Sequence, residues 1–177
     1  MSKVISSLIL ASSLLVCGNA FADECVSAYG RTVCGFNCVR GYGDVKCSRT
    51  PFGACIAAYG ELKCWDPARR THLNAMCIAG YGKLACGYGC TQGYGDVKCS
   101  PNPGAQCVAA YGTIECGYGC VSAYGDVKCA DHPGAQCVAA YGTIECGYGC
   151  VSAYGDVKCS DHPGGQCAAA YGSITCS

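Results

Sequence analysis

Twenty cysteines stand in ten pairs nine residues apart: Cys25 with Cys34, Cys38 with Cys47, Cys55 with Cys64, Cys77 with Cys86, Cys90 with Cys99, Cys107 with Cys116, Cys120 with Cys129, Cys137 with Cys146, Cys150 with Cys159 and Cys167 with Cys176. Thiols at this density do one of two kinds of chemistry. In an oxidising compartment they close disulfides; kept reduced, they offer thiolates to a soft metal ion such as Cu(I). The even count and the uniform Cys-x8-Cys spacing point to disulfides, with metal sequestration by free cysteines as the alternative. The Cys-x3-Cys connectors, such as Cys116 and Cys120, depart from the two-residue bracket usual in zinc pairs.

Tyrosine is the second suggestive residue type. Ten of the thirteen tyrosines precede a glycine at the centre of a Cys-x8-Cys unit, and Tyr88, Tyr118 and Tyr148 fill short connectors where the first copy has Phe36. A row of rings can stack on the sugars of a glycan or on the same row of another molecule. Tyr111, Tyr124, Tyr141 and Tyr154 are therefore the candidate binding residues, with an envelope glycan or self-association as the partner. The competing reading makes each ring a cover for a thin core and its neighbouring disulfide. His132 and His162, beside Asp131 and Asp161, come one to a loop and read as solvated turn residues rather than metal ligands. No Ser-His-Asp or Cys-His set, carboxylate pair or phosphate loop is recognisable, and ten near-copies of one small unit do not readily enclose a unique pocket. The expectation is a protein that is not an enzyme and carries no cofactor and no metal.

Residues 1–22 have one cation, Lys3, an apolar run from Val4 to Val16 and a small-x-small close at Ala20-Phe21-Ala22. This is the pattern of a signal peptide cut before Asp23, and Cys17 would leave with it. The rival, a lipidated Cys17, asks for a small residue where Val16 stands. Removing the signal leaves twenty cysteines in 155 residues, a share typical of disulfide scaffolds. Signal and cysteines together predict a secreted or periplasmic location. Without Lys3, eleven Lys and Arg face twelve Asp and Glu, so no basic field awaits nucleic acid. No segment after the signal is long and uncharged enough to span a membrane.

The elements that must position these residues follow from the repeat. A unit such as 107–116 is joined by Gly117-Tyr118-Gly119 to a second unit, 120–129, and a seven-residue loop leads to the next copy. Residues 107–136 and 137–166 differ only where Ala130 becomes Ser160 and Ala135 becomes Gly165. Residues 67–76 interrupt the array and read as a linker between a first block, 23–66, of three units and a second, 77–177, of seven, with Trp65 covering the end of the first. Glycine at the centre of every unit excludes helix. The fold class is all-β: a disulfide-rich tandem repeat of short Cys-x8-Cys β-hairpins forming a meander or solenoid.

Two hairpin registers remain open. With Tyr-Gly as a two-residue loop, the cysteines of a unit face one another in a non-hydrogen-bonded pair, close enough for a disulfide. With Ala-Tyr-Gly as a three-residue loop they land on opposite faces and bond only between units. Tyrosine's dislike of positive φ favours the second, the uniform spacing the first. Glu115 and Glu145 alternate with Lys128 and Lys158 at the same unit position, which would place opposite signs on neighbouring hairpins or simply form a solvated face.

The units 38–47 and 55–64, with Thr50-Pro51-Phe52-Gly53 between them and Cys64-Trp65-Asp66-Pro67 after, resemble a group of short, uncharacterised bacterial secreted proteins that carry the same Cys, Tyr-Gly and Cys-Trp-Asp-Pro elements. The resemblance implies a bacterial envelope or secreted location, without implying an activity.

Overall fold

The computed structural model describes residues 24–68, 73 and 75–177. The signal peptide expected over 1–22, Cys17 and most of the expected linker's centre lie outside them. The described chain is strand and turn, and each of the ten units is a two-stranded antiparallel hairpin.

In the unit 107–116, Ala110 pairs with Thr113, Ala109 with Ile114, Val108 with Glu115 and Cys107 with Cys116. The two-residue loop has φ 50° at Tyr111 and 84° at Gly112, the double positive φ of a type I′ turn, whose twist matches that of the flanking strands. Pairs alternate between hydrogen-bonded and open along such a ribbon, so the cysteines fall at an open pair. Their Cα atoms are 4.0 Å apart and the sulfurs are bonded.

Every unit repeats this. Cys25 is bonded to Cys34, Cys38 to Cys47, Cys55 to Cys64, Cys77 to Cys86 and Cys90 to Cys99. The same holds for Cys107 and Cys116, Cys120 and Cys129, Cys137 and Cys146, Cys150 and Cys159, and Cys167 and Cys176. The two-residue register is therefore the one adopted, and bonds between units, which the three-residue loop would require, do not form. Disulfides in this number are typical of proteins in oxidising compartments.

All ten strand ladders lie within hairpins; four pairs of hairpins share an eleven-residue central strand and so form three-stranded sheets, whereas among the described residues no ladder joins hairpins across the longer loops or the interruption, where side chains make the contact. The connector makes this stacking possible. Strand Thr113–Ala123 belongs to two hairpins and carries a bulge between Tyr118 and Val121. A Cβ on Gly117 would lie 2.6 Å from the Ala130 carbonyl oxygen and 2.7 Å from the Cys129 Cβ, so only glycine lets the two hairpins close on one another. Gly119 has φ 50° and its Cβ would meet the Gln136 Cα at 2.5 Å. Gly117→Ala is expected to cost on the order of 2 kcal/mol by forcing the hairpins apart. A thermal melt with the disulfides intact measures it; an unchanged midpoint would show that the contact yields freely.

One aliphatic side chain in each of eight hairpins supplies most of the core. Val45, Leu62, Val97, Ile114, Val127, Ile144, Val157 and Ile174 are buried, each two residues before the second cysteine of its unit. Two residues apart on a strand means the same face, so these side chains form a column beside the column of disulfides. The carbonyl of such a residue sits at an open pair and points out from the ribbon edge. Lysine covers it from the preceding hairpin: Nζ of Lys46, Lys63, Lys98 and Lys128 donates to the carbonyls of Leu62, Leu84, Ile114 and Ile144 at 2.9–3.1 Å. A cation over an open strand edge also deters edge-to-edge pairing with other chains.

The seven-residue loops turn at His132-Pro133-Gly134-Ala135, where the Ala135 N–H donates to the His132 carbonyl at 3.2 Å and Gly134 takes φ 84°. Proline followed by a positive-φ glycine is the requirement of a type II turn. Around the interruption, packing passes directly from hairpin 55–64 to hairpin 77–86 through the Lys63 bond. Trp65 meets the buried Tyr88 edge-on at 5.2 Å between ring centroids. It thus packs against the hairpins that follow it. Asp66 closes the loop behind, its Oδ1 accepting from Ser48 Oγ and from the N–H groups of Arg49 and Thr50.

Candidate functional site

The cysteines leave no thiolate. Every cysteine among the described residues is bonded, and a disulfide sulfur is not the anionic ligand that Cu(I) binding needs. This corrects the alternative expectation of metal sequestration by free cysteines. The sulfurs serve as packing instead. Cys47, Cys86, Cys99 and Cys159, inside the stack, are half-buried, whereas Cys34 in the first hairpin and Cys176 in the last are exposed. Cys120 Sγ lies 3.7 Å from the Gln106 carbonyl oxygen of the preceding hairpin, a contact without a hydrogen, since the bonded sulfur carries none. Among the described residues, no group of three His, Cys, Asp or Glu side chains is placed to hold a metal ion.

The tyrosines of the unit centres and those of the connectors differ in burial, which the sequence pattern does not show. In the connectors, Tyr88 is buried, and Tyr118 and Tyr148 are half-buried, with their hydroxyls donating to the carbonyls of Pro103 at 3.1 Å and Pro133 at 3.3 Å. These rings do cover the core. At the hairpin tips, Tyr111, Tyr124, Tyr141 and Tyr154 are 55–60 % exposed, as are the tip tyrosines of the earlier hairpins. The tip rings make no ring–ring contact among the described residues. Covering the core therefore does not account for them.

All ten tip tyrosines have φ between 50° and 55°. An L side chain in this region costs about 1–2 kcal/mol, and asparagine is the residue that tolerates it best after glycine. The chain thus repeats a strained choice at ten exposed positions.

The tips stand together on one edge. Arg31 and Asp44, which follow successive tips, form an ion pair at 3.0 Å, and Lys83 and Asp96 repeat it at 3.0 Å further along the stack. Hydrogen bonding from Lys83, then from the Val97 N–H, holds the Asp96 carboxyl below its ordinary range. In the later copies Thr113 and Thr143 replace the cation, their hydroxyls turning to the Ala110 and Ala140 carbonyls at 3.3 and 3.1 Å. Asp126 and Asp156 are accordingly exposed where Asp44 is half-buried.

The Glu and Lys alternation does not form ion pairs. Among the described residues the ion pairs are Arg31–Asp44, Lys83–Asp96 and Lys158–Asp156, while Lys128 is spent on the Ile144 carbonyl. Sequence reasoning missed these lysine caps. Their signal was a lysine directly before the second cysteine in five of the ten units, Lys46, Lys63, Lys98, Lys128 and Lys158. His132 and His162 are exposed, and His132 lines a shallow cleft with Asp131 and Asp161.

No family model, curated protein or solved structure matches the chain. Among the described residues, no helix is long and apolar enough to cross a membrane.

Proposed function

We propose that this is a secreted bacterial repeat protein with a non-catalytic role at the envelope or cell exterior, a disulfide-stapled stack whose tyrosine edge binds an extended ligand at many points. The observation that carries the reading is the set of tip tyrosines, exposed at every hairpin and held at positive φ. Strain that recurs at an exposed position without a packing role is the kind that function retains. Rings at regular intervals suit a repeating polymer such as an envelope glycan, where many weak ring contacts add up through multivalency. The resemblance of residues 25–67 to bacterial secreted proteins supports the location.

The test exploits the turn chemistry. Changing Tyr111, Tyr124, Tyr141 and Tyr154 together to Asn removes four rings while giving each turn its preferred Asn-Gly. The variant should form all ten disulfides, melt no lower than the parent and lose at least about tenfold in affinity for isolated cell-wall material, as contacts drop out of a multivalent array. Equal retention of parent and variant on that material would sink the reading.

A further inference from the structure

We propose that the stack pairs side by side with a second copy of itself in antiparallel orientation, the basic half of one chain lying along the acidic half of the other. The inference does not draw on the tyrosine edge.

Hairpins touch chiefly their neighbours in sequence, so position along the chain is position along the stack. Charge is segregated along it. In sequence, residues 24–100 hold nine Lys and Arg against five Asp and Glu, net +4, of which Arg69 and Arg70 lie outside the described residues, whereas residues 101–177 hold two against six, net −4. The whole is neutral and the halves are not. Among the side chains responsible, Arg40 and Arg49 in the first half and Glu115, Asp131, Glu145 and Asp161 in the second are exposed. None of these six takes part in an ion pair among the described residues.

A second copy is the partner that this distribution fits. A polyanion attracted to one half is repelled by the other, and the same holds for a polycation. An antiparallel copy meets both halves with the opposite sign at once. Parallel pairing sets like charge on like. The antiparallel contact is two-fold symmetric, so it closes at the dimer instead of growing. The lysine caps over the ribbon edges favour contact through side chains over a merged sheet.

Sedimentation velocity on the purified, fully oxidised protein tests this. At about 10 mM salt, where charges interact over about 30 Å, the parent should sediment as a dimer, and at about 1 M, where the range falls to about 3 Å, as a monomer. The variant Arg40→Glu, Arg49→Glu, Asp131→Lys, Asp161→Lys keeps the overall charge and brings each half to zero. It should lose at least about tenfold in self-affinity at low salt, with ten disulfides confirmed by intact mass. A parent that is monomeric at low salt, a dimer indifferent to salt, a dimer that survives in the charge-swapped variant, or growth beyond the dimer would each overturn the proposal. The salt titration of the parent decides even if the variant fails to fold.

Discussion

Reducing and alkylating the ten disulfides should abolish the fold outright, with loss of the strand signal in far-ultraviolet circular dichroism and of resistance to protease. A loop of about ten residues closed by a disulfide contributes about 2–3 kcal/mol, largely by restricting the unfolded chain. The alternative sources of stability are small here. Most hairpins place one buried aliphatic residue in the central column, worth about 1.5–3 kcal/mol if fully buried, and a two-stranded ribbon without further support is marginal in water. Because the sulfurs also pack between hairpins, as Cys120 does against the Gln106 carbonyl, reduction removes the staple and loosens the stack together. A reduced chain that kept its strand signal would show that the aliphatic column and the lysine caps suffice alone.

Trp65→Ala should have the next largest effect, and a different signature. In a stack where hairpins touch chiefly their neighbours, stability is close to a sum of unit and interface contributions, and weakening one interface lets the two sides unfold separately. Trp65 is half-buried against the fully covered Tyr88 at the junction between hairpins 55–64 and 77–86. Truncation to Ala at such a site costs on the order of 3 kcal/mol through lost burial and the gap left behind. The Lys63 bond to the Leu84 carbonyl and the Ala75 N–H bond to the Phe52 carbonyl remain, but neither replaces the ring contact. Calorimetry is expected to resolve two transitions in the variant, with faster proteolysis between residues 67 and 76. A single transition at the parent temperature would place the strength of the junction elsewhere.

Chain spacing made the hairpins legible, because glycine at the centre of each unit forbids helix and nine-residue cysteine spacing centres a two-residue turn. It left the register open for a physical reason: tyrosine at φ of 50° or more is unfavourable locally, and local preference argued for the shifted hairpin. The disulfide settles the matter. Only the two-residue loop brings Cys107 opposite Cys116, and a closed staple outweighs about 1–2 kcal/mol of backbone strain at Tyr111.

The sequence by itself thus determined the strands and the places of the turns, which depend on residues within ten of one another, and left the disulfide partners divided between two registers. Only the tertiary structure decided the register and hence the disulfide partners, that two hairpins share one bent strand while the longer loops join hairpins through side chains, that Tyr118 turns in to the Pro103 carbonyl while Tyr124 stays out, and that Lys98 caps Ile114 instead of pairing with a glutamate. The last two outcomes rest on contacts between residues fifteen or sixteen apart, set by how closely Gly117 and Gly119 let one hairpin approach the next. A tyrosine flanked by glycines reads the same in one dimension whether its ring ends in the core or in solvent; the bend in the strand that carries it makes the difference.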